Sequence, residues 1–239
     1  MKILITDKGK KFFYKGDDLH TQYGCIKKPE IEKAKPGDVL KTNTGKEMLL
    51  TNGIFMDFYS KIKRGAQIIP LKDMGSIVAQ TGINSKSRVL EAGSGSGGLC
   101  CFLANIVEKV FTYEIREDFA KIVKKNIENL NLTNVEQKHK DIYEGIDEKN
   151  LDLVVLDLPE PWKVVPHVKA IKHGGFLVSY SPCTPQVSDF IEDVSKSDEL
   201  IYIKTVEIIE REWEFSGRKI RPKSQPIGHS GFMSFVRRI

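Results

Sequence analysis

The run Arg88-Val89-Leu90-Glu91-Ala92-Gly93-Ser94-Gly95-Ser96-Gly97-Gly98 constrains this chain more than any other segment. A short apolar strand passes directly into a glycine-rich turn, and the turn opens a helix. Glycines let a bound group come close to the backbone, and the unpaired N–H groups of the helix start point into the turn. The segment reads as the first strand, turn and helix of an open α/β sheet with a nucleoside-type ligand at its edge.

The pattern downstream extends that reading. Helices are predicted over residues 73–80 and 97–107. Residues 109–113 form a second strand ending at Glu114. Residues 116–130 carry Phe119, Ile122, Val123, Ile127 and Leu130 at helical spacing. A third strand over 135–139 leads to Asp141. Residues 151–156 are apolar except for Asp152, as suits the buried centre of a parallel sheet. Residues 176–180 give a fifth strand, and 184–195 a helix with Val187, Phe190, Ile191 and Val194 on one face. Strands over 200–210 and 231–237, joined by a long polar loop, predict a hairpin at the sheet edge.

Residues 1–60 have a different texture. Short β-like runs at 2–6, 11–14, 39–40 and 48–50 alternate with turns such as Pro36-Gly37-Asp38. The expected organisation is a small N-terminal β domain over 1–60 and a catalytic α/β domain over 61–239, linked through 57–65.

No run of about 18 apolar residues exists, so no membrane span is expected. The first residues are charged too early for a secretory signal, so a cytoplasmic location is the expectation. The net charge is +5. Basic residues gather in a knot at Lys61, Lys63 and Arg64. They gather again over residues 211–239, where Arg211, Arg218, Lys219, Arg221, Lys223, Arg237 and Arg238 face only Glu212 and Glu214. This permits a polyanionic partner and equally fits a solvated surface. The cysteines are Cys25, Cys100, Cys101 and Cys183; without a CxxC pair, no metal site is expected. Their pairing is left open.

Gly93, Gly95 and Gly98 fit a GxGxxG pattern that both NAD enzymes and methyltransferases share. Glu114, at the end of the next strand, is placed to accept the hydroxyl hydrogens of a ribose or to cap the helix that follows. Glu91 would repel a pyrophosphate. It could lie near the ammonium of a methionine moiety or order the glycine turn. Asp141 could meet an adenine amine or act as a cap. Three acids around one pocket suit a cationic sulfonium ligand better than a dianionic one.

A second signature, Asp157-Leu158-Pro159-Glu160-Pro161-Trp162, follows the fourth strand. Asp157 stands at the carboxyl edge where open α/β sheets bind ligands, and the two prolines stiffen the loop after it. The loop can present a carboxylate to a flat base, or merely close the domain. Tyr180-Ser181-Pro182, with Gln186 beyond, closes the fifth strand on the same edge. Tyr180 can stack on a base or serve the core, and His229 reads as a turn-stabilising residue.

Together these segments resemble the tRNA (adenine-N1)-methyltransferases that modify position 58 of the T loop, most nearly the archaeal type. The resemblance rests on Arg64-Gly65-Ala66-Gln67-Ile68-Ile69, the stretch from Glu91 to Gly98, Asp157-Leu158-Pro159, Tyr180-Ser181-Pro182 with Gln186, and His229-Ser230-Gly231-Phe232. It implies a seven-stranded, Rossmann-like fold dependent on S-adenosylmethionine, a homotetramer, and a tRNA substrate methylated at adenosine 58 and also at 57. It implies cofactor contacts at Ile69 (through its backbone), Ser96, Gly97, Gly98, Leu99, Glu114, Asp141 and Asp157, with Asp157 the catalytic-site acid; the reading of the residues themselves adds Gly93 of the turn to the cofactor contacts and Tyr180 to the catalytic candidates. Pro70 departs from the tyrosine expected there in bacterial relatives. Competing readings are a non-catalytic tRNA-binding subunit, which would not need both Glu114 and Asp157, and a methyltransferase for a small molecule or protein, which would not need the β domain or basic tail. A nicotinamide dehydrogenase is disfavoured by Glu91 and the Asp157–Trp162 loop.

Overall fold

The computed structural model describes residues 1–225 and 228–239. The chain divides into two compact units, Met1–Lys61 and Ile62–Ile239.

In the first unit, β1 (Lys2–Thr6), β2 (Lys11–Phe13), β3 (Leu19–Thr21), β4 (Gly24–Ile26), the short helix α1 (Lys28–Lys33), β5 (Val39–Lys41), β6 (Glu47–Asn52) and α2 (Phe55–Tyr59) follow in order. Strands β2-β1-β6-β5 form an antiparallel sheet, and β3 pairs with β4 as a separate hairpin. Alternation places Leu4, Met48 and Leu50 in a core with Ile26 and Ile31. The linker expected from residue 57 onward begins inside a helix, α2. Its Asp57 is buried and accepts from the Ile54 amide and from Lys11 Nζ at 2.6 Å. The nearby ammonium holds that carboxyl below its ordinary range.

The second unit runs α3 (Leu71–Thr81), β7 (Arg88–Ala92), α4 (Gly98–Ala104), β8 (Lys109–Tyr113), α5 (Glu117–Asn129), β9 (Val135–Lys138), β10 (Leu151–Leu156), β11 (Ile171–Ser181), α6 (Thr184–Ser195), β12 (Leu200–Val206), β13 (Trp213–Ser216), β14 (Lys219–Pro222) and β15 (Phe232–Arg238). Its seven-stranded sheet has the order β12-β15-β11-β10-β7-β8-β9. The five strands β7 to β11 run parallel, while β15 lies antiparallel between β11 and β12. The edge hairpin expected from the sequence is therefore present.

Leu153, Val154, Val155 and Leu156 of β10 are fully buried, as a central strand requires. Asp152 is tolerated there because its carboxylate accepts from the Arg88 amide at 2.8 Å and pairs with Lys172. Three features differ from the sequence reading. Strand β11 starts at Ile171, ahead of the strand expected from 176. Residues Pro161–Ala170 form a 3₁₀ helix. Within the polar loop, β13 and β14 make an exposed hairpin. Pro222 pairing opposite Trp213 is tolerated because that hairpin is two-stranded and all edge.

Candidate active site

Strand β7 has β8 on one side and β10, three strands later, on the other. The chain reverses direction of layering at that point, and a crevice opens beyond the carboxyl ends of the two strands. A cavity of about 460 Å³ lies there, bordered by the glycine turn, Glu114, Asp141 and Asp157.

The turn is built from backbone that only glycine adopts readily. Gly93, Gly95 and Gly97 have φ of 85°, 53° and 75°. The Gly93 and Ser94 amides both donate to the Tyr113 carbonyl at the end of β8. The Gly95 amide donates to Glu114 Oε2 at 2.8 Å, and the Arg116 amide to Oε1 at 2.9 Å. Glu114 thus joins both sequence readings: it borders the cavity and also orders the turn and the start of α5. Each oxygen keeps a lone pair for a ligand hydroxyl. Asp141 likewise borders the cavity while its Oδ1 caps residues Ile142–Glu144 through the Tyr143 amide at 2.9 Å.

Asp157 differs from both. Its amide donates to the Ala92 carbonyl at 3.0 Å, which fixes its backbone. Among the described residues, no group donates to its carboxylate. Burial without a partner pushes its pKa up to about 6. The loop after it is held by Gln186 Nε2, which donates to the Pro159 carbonyl at 2.8 Å.

Ser96, Gly97, Gly98, Leu99 and Ile69 do not border this cavity; Ile69, Ser96 and Leu99 are buried behind it. The Ser96 hydroxyl accepts from the Gly65 and Ala66 amides, each at 2.9 Å, and donates to the Ala66 carbonyl at 2.7 Å. Its side chain is therefore spent on holding residues 65 and 66 against the turn. Asn126, fully buried, adds bonds to the Lys63 backbone and the Ser96 carbonyl. This brings Ala66 and Gln67 onto the cavity wall and leaves the Lys63 and Arg64 side chains exposed. Pro70 caps α3 in an extended conformation.

Tyr180 also lies off the cavity. It is 6% exposed, its ring abuts Gly231, and its hydroxyl donates to Asp73 Oδ2 at 3.2 Å. Asp73 also pairs with the buried Lys72 at 2.8 Å and accepts from Ser230 at 2.7 Å. This core role is one of the two open sequence readings. Burial, the Asp73 carboxylate and nearby Asp157 push the phenol well above its ordinary range, with Ser230 partly offsetting them. His229 lies outside the cavity, with Nδ1 2.5 Å from Glu207 and Nε2 2.9 Å from the Pro182 carbonyl. Both partners are acceptors, so the ring donates twice and its pKa rises.

Glu91 does not border the cavity either. It is 2% exposed, and Thr112 Oγ1 lies 3.0 Å from its Oε2. Desolvation, with Asp157 and Glu114 nearby, pushes its pKa up to about 8. Sequence reasoning missed Phe119, Lys140 and Tyr143 on the cavity wall. Phe119 reads from its spacing as part of the core face of α5, and nothing in the local pattern distinguishes a residue on the rim of that face.

Outside the cavity, Asp18, His20 and Cys25 form a group of potential metal ligands, since His20 opposes Cys25 across the β3–β4 hairpin. Both oxygens of Asp18 are already taken, by Lys27 Nζ and the Lys28 amide at 2.8 Å each. The four cysteines are unpaired. No described helix is long and apolar enough to cross a membrane.

The fold and the acid-rimmed glycine turn define the S-adenosylmethionine-dependent methyltransferase class. Similar solved structures agree: a SAM-dependent O-methyltransferase from Thermotoga maritima (TM-score 0.87, 30% identity, 100% of this chain and 92% of that one) and the tRNA (m1A58) methyltransferase TrmI from Aquifex aeolicus (TM-score 0.80, 25% identity, 100% and 96%). Residues 59–231 match the family described as the tRNA methyltransferase complex GCD14 subunit, and the chain belongs to that family. It is 35% identical to the tRNA (adenine(57)-N(1)/adenine(58)-N(1))-methyltransferase TrmI of Methanocaldococcus jannaschii, over 99% of this chain and 94% of that protein. It is 32% identical to a tRNA (adenine(58)-N(1))-methyltransferase TrmI of Thermus thermophilus, over 93% and 89%.

Proposed function

We propose that this chain transfers a methyl group from S-adenosylmethionine to N1 of adenosine 58, and also 57, in the T loop of tRNA. The observation that carries the proposal is the Asp157 carboxylate: it borders the cavity at the sheet's switch point and has no protein donor among the described residues.

The residues present suit the methyl donor. The cavity is large enough for part of a nucleoside, and the glycine turn leaves its wall free of side chains. Glu114 offers acceptors for ribose hydroxyls and Asp141 an acceptor for the adenine amine. Gly93, Glu114, Asp141 and Asp157 are the cofactor contacts this geometry favours. Any contact from Ile69, Ser96, Gly97, Gly98 or Leu99 would come through backbone. When bound, S-adenosylmethionine supplies a methyl group activated by its sulfonium.

Adenine N1 carries a free lone pair in the neutral base, so no proton has to leave before attack. The chain's task is to position the ring and to stabilise the positive charge that develops on it. Asp157 does this by accepting a hydrogen bond from the exocyclic N6 amine, a bond that strengthens as the ring becomes cationic. Guanine would place its O6 against the same carboxylate, acceptor facing acceptor, so the contact selects adenine. Gln186 keeps the loop behind Asp157 in place. Tyr180 acts indirectly, by fixing the end of β11 against Asp73.

Taking the base out of folded tRNA costs a few kcal/mol. Phosphate contacts offset that cost, and Lys63 and Arg64, exposed on a pinned backbone beside the turn, are the nearest candidates. Lys61, the basic tail and the N-terminal β unit offer further RNA surface. A homotetramer in the cytoplasm is the assembly and location this reading favours. The test is to incubate an unmodified tRNA transcript with labelled S-adenosylmethionine and analyse the nucleosides. Label in 1-methyladenosine is expected; label in a 2′-O-methylated nucleoside, or none, overturns the assignment.

A further inference from the structure

Three hydrogen bonds run in series behind the glycine turn. Glu91 Oε2 and Thr112 Oγ1 are 3.0 Å apart, Thr112 Oγ1 and Ser94 Oγ 2.5 Å, and Ser94 Oγ and the Tyr113 carbonyl 3.0 Å. The set is closed to water: Glu91 is 2% exposed, Thr112 0% and Ser94 5%. The last atom, a carbonyl oxygen, can only accept. Three links therefore require three protons.

An ionised Glu91 leaves two, one on each hydroxyl. If Thr112 donates to the carboxylate and Ser94 to the carbonyl, the two hydroxyl oxygens face each other at 2.5 Å with no proton between them. With Ser94 donating to Thr112 and Thr112 to the carboxylate, the Ser94 hydroxyl has no proton left for the Tyr113 carbonyl, which then keeps only the Gly93 and Ser94 amides. A neutral Glu91 completes the series: the carboxyl O–H donates to Thr112, Thr112 to Ser94, and Ser94 to Tyr113.

The surroundings favour the same state. Glu91 pairs in register with Thr112 of β8 and Val155 of β10, and neither is charged. The titratable groups facing it are Asp157 beyond β10 and Glu114 beyond β8, which raise its pKa, and Cys100 on α4, whose thiol bonds to the carboxyl and only partly offsets the burial. None is a cation, and no described ion pair includes Glu91.

We propose that Glu91 is a positioning residue kept as the neutral acid, whose proton drives a hydroxyl relay that sets Ser94 and holds the glycine turn in its binding shape. Ser94 sits between Gly93 and Gly95, so the relay acts on the turn from behind while the cavity lies in front. Of the two sequence readings of Glu91, this takes the one in which it orders the glycine turn rather than the one in which it meets a ligand ammonium. The relay itself is independent of the proposed function; only its effect on ligand binding rests on that reading.

Three measurements on the full chain test it. Infrared difference spectra of wild type against Glu91→Gln at pH 7.5, without ligand, should show the carbonyl stretch of a protonated carboxyl lost in the variant; an ionised-carboxylate band lost instead overturns the proposal. Glu91→Gln keeps a donor toward Thr112 and does not titrate. It should melt at a higher temperature than wild type at pH 7.5, with the gap closing toward pH 4.5, because a raised folded pKa costs wild type stability above the unfolded value. An unchanged or lowered melting temperature at pH 7.5 overturns it.

By calorimetry, Glu91→Gln should bind S-adenosylmethionine within about threefold of wild type, while Thr112→Val, which cuts the relay at equal size, should weaken it about tenfold, each tenfold being 1.36 kcal/mol. A tenfold or greater loss in Glu91→Gln, or none in Thr112→Val, overturns the proposal. Failure of wild type to bind S-adenosylmethionine at all would strike the proposed function and leave the infrared result standing.

Discussion

A β-carbon placed on Gly93 would lie 2.1 Å from the Asp157 carbonyl oxygen. The two strand ends meet backbone to backbone at this point. The Asp157 amide bonds to Ala92, and φ at Gly93 is 85°. The turn that shapes the cavity and the acid that borders it are one structural unit.

Gly93→Ala is therefore expected to do more than strain a turn. The clash is with main chain, which cannot rotate away, and the left-handed conformation adds its own penalty. Destabilisation of at least about 2 kcal/mol by chemical denaturation is expected, together with loss of S-adenosylmethionine binding. A variant that melts and binds like wild type would show that the two strand ends can separate freely.

Asp157→Asn keeps the side chain's size and one acceptor oxygen, so it should weaken S-adenosylmethionine binding only slightly while lowering turnover on tRNA by roughly 10²–10³-fold, the size of effect seen when one charge-stabilising group is removed. Asp157→Ala should behave alike. Single-turnover rates check this, and wild-type-like rates would remove Asp157 from the chemistry.

The same acid should set the pH profile. Its carboxylate form is the active one, and its pKa is raised to about 6, so the rate should climb through pH 6 and then level. Stability follows the opposite course. Because the folded pKa exceeds the ordinary 3.8, the folded state binds the proton more tightly, and stability contributed by the neutral acid is lost as pH rises from about 4 to about 6. Asp157→Asn should be more stable than wild type at pH 7 by up to roughly 3 kcal/mol, with the difference gone below pH 4. Equal stability at both pH values would mean the carboxyl is not desolvated.

Ser96→Ala removes the three hydrogen bonds that hold residues 65 and 66. With two amides left unpaired beside the turn, a loss of about 1–3 kcal/mol is expected, along with a raised KM for the cofactor. Hydrogen exchange at the Gly65 and Ala66 amides reports the release directly.

Removing the charges of Lys63 and Arg64 together should weaken tRNA binding and flatten its salt dependence, by roughly one in log–log slope for each phosphate no longer neutralised. An unchanged slope would place the RNA elsewhere.

The strand–turn–helix core was legible because its rules are local. Apolar runs of strand length, a helical stripe over α5 and the glycine spacing each depend on neighbours a few residues apart. The acids at the strand ends were legible for the same reason: Glu114, Asp141 and Asp157 follow closely on predicted strands, and all three border the cavity. Elements with no period of their own escaped. The Pro161–Ala170 helix and the β13–β14 hairpin take their form from packing or turn geometry rather than from a hydrophobic repeat.

What the sequence alone determined is which residues stand at the sheet's carboxyl edge. The tertiary structure decided what each of them does there. Ser96 turned its hydroxyl to residues 65 and 66, Tyr180 to Asp73, and Glu91 to Thr112, because a buried polar group must find partners among whatever the fold brings within about 3 Å, and those partners are distant in the chain. Glu114, Asp141 and Asp157 border the cavity, and of the three Asp157 alone has no protein donor to its carboxylate among the described residues.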